Sequence, residues 1–198
     1  MRNGLPREIS REQLAELPIR RYEGEVCLVV SPEDLERARA DIRQQAVVGF
    51  DTETKPAFRK GESHLPCLVQ VATAKVVYLF QLRRPDVLPV IAELLMDSRA
   101  VKAGVALADD LRSLRLVVPF AEENMLDLGI VARRQGFGQT GLRNLAGIFL
   151  GIRIPKGVKT SNWAAPNLTP AQVTYAATDA WASRELFLRF DASGLLHA

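Results

Sequence analysis

The chain has 198 residues, enough for one domain with a sizeable core, and its 47% apolar and 25% charged content is ordinary for a globular protein. No apolar run approaches the ~20 residues that a bilayer crossing needs. A net charge of +3, spread along the chain, permits a nucleic-acid partner without demanding one. From the N-terminus, "MRNGLPREISREQ" has no apolar core of a secretory signal and is expected to be an extension, residues 1–24, packed on the domain or flexible. "EVCLVVS" (25–31) reads as a short strand, and Ser31 then caps a helix with Pro32 at its first position and Leu35, Ala38 and Ile42 on one face. "AVVGFDT" (46–52) reads as a buried strand. "HLPCLVQVATA" (64–74) and "VVYLFQL" (76–82) read as two strands joined by a tight turn at Lys75.

Further on, "DVLPVIAELLMDS" (86–98) is an amphipathic helix with Pro89 in its first turn, and "AVKAGVAL" (100–107) is a strand leading to a helix over 108–117. "ENMLDLGIVARRQ" (123–135) is a short strand entering a helix, and "GLRNLAGIFLG" (141–151) a helix closed by Gly151. The last element, 167–190, is a long helix with Thr169 as N-cap and Pro170 as first residue. Adjacent strands over 46–82 suggest a meander, and alternation with helices afterwards suggests parallel additions. The reading is a single α/β domain over 1–198: a mixed sheet of five to six strands, flanked by helices, with a helical C-terminal third. Two cysteines, Cys27 and Cys67, are too few for a disulfide framework or a Cys-rich zinc site, so a reducing cytoplasm and no disulfide-linked partner are expected.

Three acidic clusters carry chemistry. In "VVGFDTETKP", Asp51 and Glu53 are one residue apart, so a strand places both on one face. Two such carboxylates repel unless one is protonated or a cation lies between them, and hard divalent cations take oxygen ligands. The alternative is a pair of solvated acids after a strand. In "GVALADDLRSL", Asp109 and Asp110 open a helix; one is a cap or first-turn acid and the other can point into a site. In "TYAATDAW", Tyr175 and Asp179 lie one helical turn apart with small residues around them. The alternative for Asp179 is an exposed acid paired with Arg184 or Lys159. Together, three acidic sites and a tyrosine can meet at one sheet edge, where two divalent ions ~4 Å apart would serve in-line phosphodiester displacement.

At these residues the chain resembles the DEDD superfamily of 3′–5′ exonucleases, in the subclass whose last motif carries tyrosine, with ribonuclease D and the Werner syndrome exonuclease domain among its members. "VVGFDTET" resembles the first motif, "KAGVALADDLRSL" the second, "YAATDAWAS" the third, and "SNWAAPNLTPAQ" the run preceding it. The resemblance covers about 25–190. It implies a ribonuclease H-like fold, and it implies that Asp51, Glu53, Asp110 and Asp179 hold two Mg²⁺ or Mn²⁺ ions, with Asp109 a neighbouring cap. Tyr175 would orient the attacking water or help deprotonate it; a free tyrosine, with a pKa near ~10, is a poor base at neutral pH. His64 and His197 lie away from the third motif, which assigns the tyrosine subclass.

The implied activity is hydrolysis of phosphodiester bonds at the free 3′ end of single-stranded or frayed DNA or RNA, releasing nucleoside 5′-monophosphates. The alternatives are a catalytically weak nucleic-acid-binding domain of the same fold and an endonuclease of the ribonuclease H type. Candidate substrate contacts are the backbone of Thr52 against the 3′-hydroxyl, Trp163 stacked on a nucleotide or walling the cleft, and a lysine of the Gly-containing loop, Lys156 or Lys159, at a phosphate. Each has a structural alternative: a strand filler, a buried tryptophan locking the loop, and a solvated loop charge. Phe58, Arg59 and Lys60 have the aromatic-basic composition of a strand-gripping loop.

Overall fold

The structure, a computed structural model, describes residues 6–59, 61–157 and 160–196. Lys60, Lys159 and His197 lie outside the described residues. Six strands form one mixed sheet: β1 (Glu25–Leu28), β2 (Val47–Thr54), β3 (Pro66–Ala72), β4 (Val76–Gln81), β5 (Val101–Gly104) and β6 (Met125–Asp127), in the order β1-β4-β3-β2-β5-β6. The meander β2-β3-β4 is antiparallel, whereas β1 joins β4, β5 joins β2 and β6 joins β5 in parallel. This matches the expected mixed sheet flanked by helices.

Four of the helices begin where an N-cap side chain satisfies their free amides. Helix α1 is Arg11–Glu16, and α2 (Pro32–Ile42) opens on the Ser31–Asp34 capping box. A 3₁₀ turn, Pro85–Val87, precedes α3 (Leu88–Met96), followed by α4 (Leu107–Leu114) and α5 (Leu128–Arg134). The helix expected over 141–151 is one turn of α-helix, α6 (Leu142–Leu145), running into a π turn, Ala146–Leu150, which ends at Gly151 with φ +65°. Helix α7 (Pro170–Ala192) opens on a capping box between Thr169 and Gln172.

Both sheet faces are covered. Val48, Phe50, Val69, Val71, Tyr78 and Phe80 pack against α2, α3 and α4. On the other face, Leu68, Ala72, Val77 and Leu79 meet Ala176, Ala177 and Ala180 of α7 together with Trp163. A second cluster joins Val47 and Ala103 to Leu186 and Phe190 of α7, and to Phe137 and Phe149. Cys27 and Cys67 are free thiols; Cys27 is buried, whereas Cys67 is half-buried with its Sγ 3.5 Å from the Leu65 carbonyl oxygen.

The sequence reading assigned no element before residue 25, yet Ser10 and Gln13 form a capping box that starts α1. The segment is pinned along its length. Arg7 stacks on the Phe137 ring at 4.8 Å, the Ile9 amide donates to Gln139 Oε1 at 2.9 Å, and Ile19 bridges Arg153. A Cβ added at Gly147 would lie 2.7 Å from Leu14 Cδ1, so the π turn and α1 share close quarters.

Helix α7 crosses β2 in backbone contact: a Cβ at Gly49 would sit 1.9 Å from the Ala180 carbonyl oxygen and 2.9 Å from the Arg184 nitrogen. Gly49→Ala must push the helix away. Overpacking of this kind costs about 1–3 kcal/mol or more, so a lowered midpoint in denaturant unfolding is expected.

Candidate active site

Strand alternation sorts the first motif. Asp51 and Glu53 face α7, whereas Thr52 between them faces α4. Because α7 lies on Gly49 one turn from Asp179, that acid is delivered to the same place. One carboxylate oxygen from each of Asp51, Glu53 and Asp179 lies within 4.8 Å of the others. Glu53 is 8% exposed and Asp179 7%; Asp51 is half-buried. Asp179 is therefore not the exposed acid of the alternative reading; of the partners that reading offered, Arg184 approaches Glu185 at 3.5 Å and Lys159 lies outside the described residues.

Like charges at such spacing repel by about 3–4 kcal/mol per pair at an effective dielectric of ~20. A cation relieves this, and an all-carboxylate oxygen set suits Mg²⁺ or Mn²⁺ rather than a soft metal. The donor set fits the implied ions.

Asp110 reaches the same cavity, of about 990 Å³, from α4. It stands outside the three-acid cluster, and the Thr52 hydroxyl donates to its Oδ1 at 2.9 Å. Asp109 is exposed, 3.0 Å from Arg112, and does not cap the helix. The N-cap position falls on Ala106, in the left-handed region at φ +61°, and has no side-chain cap. Asp127 supplies that function: its Oδ2 accepts from the Leu107 amide at 2.9 Å while its Oδ1 caps α5 through Gly129 and Ile130. One carboxylate thus fixes the starts of two helices, and with them the place of Asp110.

Tyr175 lines the cavity half-buried, its phenol hydrogen-bonded to Asp179. Burial first, then the charges of Asp179 and Glu53, push the phenol well above the ordinary tyrosine range, against a smaller opposing effect of Arg143. The ring is clamped: the Trp163 ring lies 5.9 Å away at 42°, and a Cβ at Gly157 would stand 1.9 Å from Tyr175 Cδ2.

The substrate-contact expectations fare differently. Trp163 is 0% exposed, so its face is not open to a nucleotide; it supports Tyr175 from within the core. Its loop is tied down by Gln172 Nε2, donating to the Asn162 carbonyl at 3.2 Å, and by Gln81 Nε2, donating to the Ala165 carbonyl at 3.0 Å. The buried Thr52 uses its hydroxyl on Asp110, a role the sequence reading did not assign. Phe58 is strongly exposed, and the Phe58 and Arg59 amides donate to Glu62. His64 approaches Glu62 at 3.0 Å and is not among the cavity-lining residues.

Other residues of the site carried little sequence signal. Asp127 could have been found as an Asp preceding a helix. Arg143 lines the cavity from α6, whereas Lys156, one of the two loop lysines the sequence offered for a phosphate, lines it from its loop. Gln70, directly across the ladder from Asp51, is fully buried, and neither Nε2 nor Oε1 has a hydrogen-bond partner among the described residues.

Fold and site define a class: a ribonuclease H-like domain with an acidic cleft whose donor set suits a divalent cation. The chain belongs to the 3′–5′ exonuclease family, whose model matches residues 27–193, and so to the DEDD exonuclease superfamily. It is 31% identical over 156 residues to ribonuclease D of Gluconacetobacter diazotrophicus, a match covering 77% of this chain and 39% of that protein. It is 29% identical over 179 residues to the bifunctional 3′–5′ exonuclease/ATP-dependent helicase WRN of Mus musculus, covering 87% of this chain and 12% of that one. The chain thus spans well under half the length of these relatives. In fold it is similar to the Aedes aegypti Nibbler EXO domain, with a TM-score of 0.77, 23% identity, and 91% of this chain and 93% of that one covered. Escherichia coli RNase D superposes with a TM-score of 0.72 at 21% identity, covering 87% and 47%.

Two outcomes follow from this geometry. Thr52→Val removes the donor to Asp110, a hydrogen bond to a charged group worth about 1.5–3 kcal/mol, so kcat/KM should fall about tenfold or more while the fold persists by circular dichroism. The Tyr175 phenol titrates above the ordinary ~10, so the stability tied to its protonated form is complete below that pH and is lost as pH rises through the higher folded value. In chelator, unfolding free energy should fall above pH ~10, less steeply in Tyr175→Phe, as read by urea unfolding at stepped pH.

Proposed function

We propose that the chain is a divalent-cation-dependent 3′–5′ exonuclease of the tyrosine subclass. It hydrolyses the terminal phosphodiester at the 3′ end of single-stranded or frayed DNA or RNA and releases nucleoside 5′-monophosphates. The observation that carries this reading is the convergence of Asp51, Glu53 and Asp179 beside Tyr175, with Asp110 in the same cavity. These four acids would hold two Mg²⁺ or Mn²⁺ ions. When bound, the ions supply charge stabilisation at the scissile phosphate and lower the pKa of water.

The chain's own groups do the rest. Tyr175 keeps its proton at neutral pH, so its hydroxyl acts as a hydrogen-bond donor that orients the attacking water and not as the base. Trp163 and the backbone at Gly157 stop the ring from turning away, which fixes the direction of that donor. Thr52 holds the Asp110 carboxylate at the angle the cleft requires. The sequence family and the free thiols both suit a reducing, cytoplasmic setting.

The reading is tested with 5′-labelled oligonucleotides. Wild-type protein with Mg²⁺ or Mn²⁺ should shorten RNA or DNA from the 3′ end, and chelator should stop it. Asp51→Asn and Asp179→Asn should each reduce release by at least about a thousandfold, with strand binding retained. Undiminished release by both purified variants, or cleavage of a circular single strand, would refute it.

A further inference from the structure

The cavity over the acids has one wall that does not come from the region matched by the family model. Arg11, Leu14, Ala15 and Ile19 line it, and all four precede residue 27. Arg11 and Ala15 are four apart, so they share one face of α1, and both are exposed. Leu14 holds the helix down against Gly147. The segment is fixed at both ends: the Ser10–Gln13 capping box and the Ile9–Gln139 bond precede the helix, and past it the Arg153 amide donates to the Pro18 carbonyl at 2.9 Å. The Arg20 amide returns a bond to the Arg153 carbonyl at 3.1 Å. It is a built wall and not a loose tail.

The wall is cationic. Arg11 and Arg153 line it, and Arg143 and Lys156 continue the lining toward Tyr175. Among the described residues none of the four forms an ion pair. Arg153 Nε is buried without a hydrogen-bond partner. The floor of the same cavity is anionic, at Asp51, Glu53, Asp110 and Asp179. A ligand that satisfies both needs its reacting phosphate at the floor, with cations there, and further phosphates along the wall. A mononucleotide has one phosphate; a strand has a row of them.

We propose that residues 10–20, with Arg153, form a fixed basic wall that grips the phosphodiester backbone of a single strand upstream of its terminal linkage, Arg11 and Arg153 each meeting a phosphate. This rests on the exonuclease reading of the floor. The wall reads charge and not bases, so it gives length preference without sequence preference.

The test measures binding of fluorescent single-stranded oligonucleotides in chelator, across a salt series, by wild type, Arg11→Ala and Ala15→Glu. Both sites are exposed, so neither change disturbs the core. Each lost phosphate contact should flatten the slope of log affinity against log salt by about 0.7, and this is expected for Arg11→Ala. Ala15→Glu, which puts an anion on the wall, should weaken binding about tenfold at moderate salt. With Mn²⁺ present, each variant should lose less on the nitrophenyl ester of a nucleoside 5′-monophosphate than on a strand, because the ester has no phosphates upstream of its reacting linkage. An unchanged slope and affinity in Arg11→Ala overturns the proposal, and so does an equal loss on the one-nucleotide ester. Failure of the exonuclease reading shows separately, as wild-type protein that binds strands with the expected slope yet releases no nucleotide with Mn²⁺.

Discussion

Mutual repulsion among Asp51, Glu53 and Asp179 is the constraint around which the rest of the molecule is arranged. Three carboxylates brought within 4.8 Å would spread if their supports could move. They cannot spread cheaply, because two sit on a strand laddered to β3 through both positions and the third on a helix in backbone contact with that strand. The contact exists because residue 49 lacks a side chain, and because Ala176, Ala177 and Ala180 are small enough to let α7 lie flat on the sheet. Site and core are thus one packing problem. The stiffness that holds the acids together comes from ordinary apolar burial on either side of them.

The two flanks of the cleft are held by different means. On the α7 side, position follows from helix–sheet packing and from the aromatic clamp on Tyr175. On the α4 side, hydrogen bonds do the work: Thr52 to Asp110, and Asp127 to the first amide of α4. Ala106 accepts a left-handed backbone there, a conformation costing of the order of 1 kcal/mol for a residue with a Cβ, and the bond from Asp127 offsets it. The cleft therefore has one flank fixed by packing and one positioned by directional bonds.

What the sequence revealed follows the range of the interactions involved. Strand alternation places Asp51 and Glu53 together, and helical spacing places Tyr175 over Asp179, because both are local periodicities. The caps at Ser31 and Thr169 were legible for the same reason. Strand ends ran long: 25–31 shortened to Glu25–Leu28 and 100–107 to Val101–Gly104, since pairing partners, not β-propensity, end a strand. Helix α1 was missed because a six-residue helix has too few turns to show a stripe. Trp163 was open between wall and core, and burial decided it, which depends on a loop folding under α7. The cap of α4 was assigned to a neighbour in the chain, whereas the group that serves it stands at position 127. The basic wall has no local signature at all, because Arg11 and Arg153 meet only through tertiary structure.

Helix α7 runs 23 residues, Pro170–Ala192, about 35 Å, and carries both Tyr175 and Phe190, whose ring lies 4.5 Å from that of Phe149. Its inner face is buried at intervals from Gln172 to Phe190, and Asp179 stands in the middle of that stretch. Amide exchange around Asp179 should therefore need an opening close to the global one. The acidic cluster should then come apart with the whole chain, not before it.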